Sequence, residues 1–74
     1  MPKLNPIAPR QFIKILSQLG FSLLRIKGSH HFFSHPDGRT TVIPIHGNEE
    51  LSIGILKKIL RDISLSAGDF QEKR

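Results

Sequence analysis

Cysteine, tryptophan and tyrosine are absent from this chain of 74 residues, and acidic side chains are few. Without cysteine no disulfide can form, which is compatible with a reducing cytosol. The longest apolar run falls far short of the roughly 18 residues that span a bilayer. The segment 1–6 also lacks the apolar region of a signal peptide. We therefore expect a soluble cytoplasmic protein rather than a membrane or secreted one.

The chain is small and basic. Eleven Lys and Arg against six Asp and Glu give a net charge of +5, which suits a polyanion such as nucleic acid, or an acidic protein. The length predicts one domain over residues 1–74, with residues 1–8 as an extended lead-in and residues 71–74 as a frayed tail. A core of this size rarely supplies more than about 3 to 5 kcal/mol of stability, so a bound partner would add to it.

Hydrophobic periodicity predicts two amphipathic helices. The first begins near Pro9, which suits a first helical turn, and ends at Gly20. Ser52 can cap the second, and Ser66 can open one further short turn anchored by Phe70. The apolar stripes are Phe12, Ile13, Ile15, Leu16 and Leu19 in the first helix, and Ile53, Ile55, Leu56, Ile59, Leu60 and Ile63 in the second.

Between the helices the apolar pattern changes to a period of two residues, which is typical of strands. Gly28–Ser29 is the Gly-X pair of a type II′ hairpin turn, and Pro36–Gly38 suits a three-residue loop built on a type I turn. The predicted pairs are Lys27 with His30, Ile26 with His31, Arg25 with Phe32, Leu24 with Phe33, Phe33 with Thr41, and His31 with Ile43.

This register separates two faces of a three-stranded antiparallel sheet. The core face carries Leu24, Phe33, Thr41, Ile43 and Ile45. The other face, called the open face below, carries Arg25, Lys27, His30, Phe32, Val42, Pro44 and His46. Pro44 cannot donate to a ladder, so the third strand should be an edge. The predicted fold is α+β, in the order helix, three strands, helix, with both helices on the core face.

The open face could carry acid-base chemistry. RNA strand cleavage needs a base for the ribose 2′-hydroxyl, an acid for the leaving 5′-oxygen, and positive charge near the phosphate. Histidine titrates near pH 6.5 and suits either proton role, so His30 and His46 are candidates. Lys27 and Arg25 would supply the charge. Solvated surface histidines without a function are the alternative, which stays open most of all for His46.

The other candidates divide in the same way. Four histidines lie between positions 30 and 46, but Asp37 is the only carboxylate in that interval and no cysteine accompanies them. We therefore expect no metal site and no cofactor. His31 should be a packing residue and His35 a structural one. Lys57 and Lys58 either form a solvated helix face or contact RNA, and Phe32 either stacks on a base or is covered by a partner.

Several segments, taken together, resemble a known family over about Pro9 to Phe70. They are Gly20–Phe21, Arg25–Phe33, His35–Arg39, Val42–Gly47 and Leu56–Leu60. Gly-Ser-His alone is a weak motif, but it is specific when joined to the later Pro-x-His-Gly and to a helix at this distance. The combination resembles the HicA family of mRNA interferase toxins.

The resemblance implies a fold like that of double-stranded-RNA-binding domains. It also implies a ribonuclease toxin of a type II toxin-antitoxin pair, which cleaves mRNA without a metal and is neutralised by a HicB antitoxin that covers the active site. The catalytic histidine of the family follows Gly-Ser, which makes it His30 here, positioned by Gly28. We expect RNA contacts from Lys27, Arg25, Ser29, Lys57 and Lys58. His46 as a second acid or base is our own hypothesis, and a non-catalytic RNA-binding module is the alternative function.

Overall fold

A computed structural model describes residues 3–74, and its elements follow the predicted order. They are helix α1 (Pro9–Gln18), strands β1 (Ser22–Lys27), β2 (His30–Ser34) and β3 (Thr40–Pro44), and helices α2 (Ile53–Asp62) and α3 (Ala67–Lys73). The strands form an antiparallel sheet in the order β1-β2-β3. The predicted α+β architecture is therefore confirmed, and β3 is an edge strand as Pro44 indicated.

Helix α1 begins and ends where the sequence predicts. Pro9 lies in its first turn, where an N–H would have no helical partner in any case. At the other end Gly20 adopts φ +96°, and the Phe21 N–H donates to the Leu16 carbonyl at 3.0 Å. This arrangement satisfies carbonyls that the helix leaves open and turns the chain directly into β1.

Two hairpin turns set the register of the sheet. Gly28 has a φ of +60° while Ser29 does not have a positive φ, which is the type II′ pattern. In the second turn the Gly38 N–H donates to the His35 carbonyl at 2.9 Å. The confirmed pairs are Lys27 with His30, Ile26 with His31, Arg25 with Phe32, Phe33 with Thr41, and His31 with Ile43.

The predicted register is wrong at the start of β1. Leu23, not Leu24, lies opposite Phe33, and Leu24 is the extra residue of a β-bulge before Arg25. Leu24 is 64% exposed, so it is not a core residue. The buried apolar side chains of the sheet come from β2 and β3, and all six residues of β1 are exposed. Leu24 therefore has no buried neighbours on β1 to hold it inward.

Both long helices pack on the core face of the sheet. Thr41 of this face donates from Oγ1 to an Asp62 carboxylate oxygen on α2 at 3.1 Å. The opposite face is left uncovered by the helices. The buried cluster consists of Leu4, Ile7, Phe12, Ile15, Leu16, Phe21, Phe33, Ile43, Leu51, Leu56, Ile59, Leu60, Ile63 and Phe70.

Helix α2 is capped as predicted, since the Ser52 hydroxyl accepts from the Ile55 N–H at 3.3 Å. Its apolar stripe is shorter than expected, because Ile53 and Ile55 are 38% and 37% exposed. These residues belong to the first turn, at the margin of the core. The helix ends at Asp62, and Ser64, which follows the C-cap Ile63, has a φ of +56°, the left-handed conformation that glycine usually supplies at this position.

We predict that Ser64→Gly stabilises the protein by about 1 kcal/mol, because glycine adopts left-handed backbone without a Cβ penalty. In a domain of this size that is a rise in Tm of about 4 to 8 °C, measurable by circular dichroism. Ser17→Gly is the control, since residue 17 has helical backbone that favours serine and should lose stability. A lower Tm for Ser64→Gly would contradict the prediction.

The C-terminal segment forms a longer helix than predicted, and residues 71–73 of the expected frayed tail at 71–74 are helical. Ser66 accepts from the Asp69 N–H at 3.1 Å as predicted, but the short turn continues as α3 to Lys73. Phe70 is fully buried and anchors the helix in the core. No helix within residues 3–74 has the length and hydropathy needed to cross a membrane.

Contacts with the N-terminal segment explain why α3 holds. The Gln71 side chain donates to the Lys3 carbonyl, and the Arg74 guanidinium donates to the Asn5 carbonyl at 2.9 Å. The lead-in itself is extended and forms a bridge between Ile7 and Leu51. Residues 1 and 2 of the predicted lead-in lie outside the described residues.

Candidate active site

The open face of the sheet brings together the basic and titratable residues of the first hairpin. Lys27, His30 and Pro44 occupy matching positions across β1, β2 and β3. Directly paired side chains lie about 4.5 to 5.5 Å apart at Cβ, so Lys27 is the immediate neighbour of His30. Both residues are exposed. An ammonium group and an imidazole therefore share one solvent-accessible surface.

Arg25 and Phe32 form the next pair along the open face. The guanidinium carbon of Arg25 lies 4.6 Å from the centroid of the Phe32 ring, which is a cation–π contact. Phe32 is half-buried and Arg25 is exposed. The contact holds a cation at a defined place beside the Lys27 and His30 pair.

The positive charge of the open face has little compensation. None of the three strands contains an acidic residue, and within residues 3–74 neither Arg25 nor Lys27 makes an ion pair. Asp37, in the loop between β2 and β3, accepts from the Arg39 backbone N–H at 3.0 Å and from its guanidinium at 2.8 Å. The backbone N–H first, then the guanidinium, hold the pKa of Asp37 below its ordinary value. The Asp37 carboxylate is thus matched by Arg39 rather than by the open face.

The turn before His30 is fixed by backbone contacts. The Ile45 N–H donates to the Ser29 carbonyl at 2.7 Å, which ties the turn to the end of β3. Ser29, which we expected to contact RNA, is half-buried. A Cβ added at Gly28 would meet no atom within 4 Å, so a substitution there would strain the turn without a clash. Such a change would act on His30 through the position of the backbone.

His46 lies at the same end of the sheet as His30, because its neighbour Ile45 is bound to Ser29. It is exposed and follows the last residue of β3 by two positions. Its carbonyl accepts from the Glu49 N–H at 3.0 Å. In the described part of the chain, residues 3–74, the His46 imidazole makes no hydrogen bond to His30. The structure thus brings the two histidines to one end of the sheet without pairing them.

The other two histidines lie away from the open face. His31 is half-buried opposite Ile43 on the core face, as its predicted packing role requires. His35 Nε2 donates to the Leu19 carbonyl at 3.1 Å, since a carbonyl oxygen can only accept, and Nδ1 lies 3.0 Å from both the backbone nitrogen and a carboxylate oxygen of Asp37. His35 therefore links the second hairpin to the end of α1. The sequence indicated a structural role for His35 but not this partner.

Lys57 and Lys58 lie on α2, in the helical layer behind the sheet. Lys58 Nζ is 3.4 Å from an Asp62 oxygen, the same oxygen that Thr41 binds from the core face. Among residues 3–74 neither lysine makes a hydrogen bond or ion pair with a residue of the open face, so their contact with RNA stays a prediction. In the described part of the chain, no three histidine or carboxylate side chains are placed to hold a metal ion.

A groove beside Phe32 is the feature that sequence reasoning missed. It has a volume of about 510 Å³, and its lining consists of Leu24, Arg25, Phe32, Phe33, Thr40, Thr41 and Val42. The bulge turns Leu24 into one wall of the groove. Neither glycine nor proline occurs in β1, so no sequence signal marks the bulge or the groove.

Comparison with models of known protein families identifies the family of this chain. A family model described as HicA toxin of bacterial toxin-antitoxin matches residues 9–65. This chain belongs to the HicA toxin family. The HicA match includes the whole open face and both lysines of α2, whereas α3 lies beyond it. Family membership gives the chain the toxin role in a toxin-antitoxin system. A search of curated proteins finds no match.

Proposed function

We propose that this HicA-family toxin is an endoribonuclease that cleaves mRNA without a metal ion. The observation that carries the proposal is the position of His30 beside Lys27, on an exposed face whose strands contain no acid. An RNA backbone is attracted to such a face, so its phosphates approach the imidazole. RNA cleavage at this face accounts for toxicity with the residues that the chain itself supplies.

The proposed step is attack of a ribose 2′-oxygen on the adjacent phosphorus. A base removes the 2′-hydroxyl proton as the new oxygen–phosphorus bond forms. The bond from phosphorus to the 5′-oxygen breaks, and an acid protonates that leaving oxygen. His30 acts as one of these two groups, since imidazole both accepts and donates a proton near neutral pH. Lys27 stabilises the charge that develops on the non-bridging oxygens.

The remaining site residues take supporting roles in this scheme. Arg25 binds the neighbouring phosphate, because it lies one pair further along the same face. Ser29 and Gly28 hold the turn that presents His30. His46 is the proposed second acid or base, since the contact between Ile45 and Ser29 places it at the same end of the sheet. Lys57 and Lys58 remain candidates for RNA contact outside the open face.

We further propose that a HicB-like antitoxin neutralises the toxin by covering the open face. The family works in toxin-antitoxin pairs, and the uncovered positive charge suits an acidic partner. The adjoining edge strand adds apolar surface, since Leu23, Leu24 and Ile26 are 49%, 64% and 56% exposed. An exposed apolar edge of this kind favours association with another chain.

The proposed activity is tested with the purified chain and short RNA oligonucleotides in EDTA. We expect cleavage at an unchanged rate in EDTA, and no cleavage when a single 2′-deoxy nucleotide replaces the one at the mapped site, because the nucleophile is then missing. Strict dependence on added zinc would contradict the metal-free scheme. RNA affinity that falls steeply with salt, without any cleavage, would instead identify the non-catalytic RNA-binding module.

A further inference from the structure

We infer that Phe32 and Arg25 form a stacking subsite for one nucleobase of single-stranded RNA, adjacent to the phosphate at His30. The inference rests on the proposed ribonuclease function and extends it to the base next to the cleaved bond. The subsite is the groove in which the Arg25 guanidinium lies over the Phe32 ring.

The spacing along β2 supports this assignment. His30 and Phe32 are two residues apart on one strand, so both side chains project from the open face. Such residues are offset by about 7 Å along a strand. That offset is on the scale of one nucleotide step in an extended strand. A phosphate held at His30 therefore brings an adjoining base to Phe32.

The groove has the chemistry that a base requires. Its volume of about 510 Å³ lies in the range of roughly 300 to 1,000 Å³ that is usual for small-ligand sites. Leu24 and Val42 provide apolar contacts for a planar ring, and both an aromatic ring and a guanidinium plane stack on bases. Thr40 adds an exposed side-chain hydroxyl that can meet the polar edge of the base.

A base accounts for this surface better than a protein partner does. An acidic protein covering Phe32 would also explain the apolar ring and the cation at 4.6 Å from it, but not why the ring lies on the same strand only two residues from His30. RNA uses all of these features, since its bases stack on the ring while its backbone meets the charge. Stacking also accepts every base, so we expect little sequence preference from this subsite.

The test pairs protein variants with altered substrates. RNA oligonucleotides with one mapped cleavage site are made with a single abasic ribose at each flanking position, and kcat/KM is measured for each. Phe32→Ala should lower kcat/KM on intact RNA by about 5- to 150-fold. For Phe32→Leu the loss of kcat/KM should be nearly as large, because leucine retains apolar volume without a ring face. Phe32→Tyr should have a kcat/KM close to that of the wild type, because it keeps the ring. At one flanking position, the abasic substitution should lower the kcat/KM of the wild type by a similar factor. The same abasic RNA should not lower the kcat/KM of Phe32→Ala any further.

Three results would overturn the inference. The first is equal kcat/KM for wild type and Phe32→Ala on intact RNA, and the second is an abasic effect that is as large in Phe32→Ala as in wild type. The third is Phe32→Ala that cleaves normally but escapes inhibition by the antitoxin, which would assign the groove to the protein partner. If Phe32→Ala fails to fold, Phe32→Leu replaces it in every comparison.

Failure of the proposed function has a different signature. A wild-type protein that cleaves no RNA would contradict the ribonuclease proposal. The stacking subsite would then be tested by measuring RNA binding instead of cleavage. RNA carrying 2-aminopurine loses fluorescence when that base stacks. Quenching by wild type but not by Phe32→Ala would support the subsite without catalysis, and equal quenching by both would overturn it.

Discussion

Purified His30→Ala is expected to cleave RNA about 100- to 10,000-fold more slowly than the wild type, the usual contribution of one well-placed acid or base. Alanine can neither accept nor donate the proton, whereas Lys27 and Arg25 still attract the phosphates. The rate of the chemical step should therefore fall while RNA affinity changes little. Single-turnover cleavage and a separate binding titration measure the two quantities.

Neighbouring histidines provide the controls for this experiment. His31→Ala alters a half-buried side chain on the core face, so it should lower Tm but leave the cleavage rate of the folded protein near that of wild type. His46→Ala decides the second proton role, because an unchanged rate and pH profile would show that His30 works with water or Lys27 instead. In a host without antitoxin, equal growth arrest and equal RNA decay from wild type and His30→Ala would contradict the assignment of His30.

Local turn chemistry made most of the fold predictable. A Gly-Ser pair and a Pro-Asp-Gly loop each specify the hairpin that follows, so the register around His30 was determined by adjacent residues. The bulge at Leu24 depends instead on which strands the helices cover. No residue type in β1 indicates that this strand stays exposed. The length of α3 could not be predicted for a related reason, since Gln71 and Arg74 form hydrogen bonds with residues near the opposite end of the chain.

The candidate site divides along the same line. The pairing of Lys27 with His30 followed from a two-residue turn. The same register also determined the pairing of Arg25 with Phe32. His46 lies beyond the end of β3, where strand alternation no longer fixes the direction of a side chain. The groove beside Phe32 required the bulge and was not predictable. The sequence therefore indicated which residues share the open face, and the structure added the groove beside Phe32, which is the proposed site for a base.

Gly20→Ala is expected to destabilise the protein by about 2 to 5 kcal/mol, from two separate effects. The first is the left-handed backbone at φ +96°, which an alanine adopts only at a cost. The second is a clash, because a Cβ at this position would lie 2.9 Å from His35 Nε2. The His35 ring cannot easily move away, since Nε2 binds the Leu19 carbonyl and the ring packs against Phe21 at 5.0 Å.

Gly38→Ala is the matched control that separates these effects. Gly38 has nearly the same φ, +99°, but a Cβ there would meet no atom within 4 Å. It should therefore lose only the backbone contribution of about 1 to 2 kcal/mol. We expect the Tm of Gly20→Ala to fall by more than about 10 °C and the Tm of Gly38→Ala by clearly less.

A double variant identifies the contact responsible for the difference. His35→Ala removes the atom that the new Cβ would strike, so it should destabilise the Gly20→Ala protein less than it destabilises the wild type. Thermal unfolding of the four proteins in this cycle measures that coupling. Equal losses of Tm at Gly20 and Gly38, together with additive effects of His35→Ala, would show that the ring moves aside freely and does not lock the second hairpin to α1.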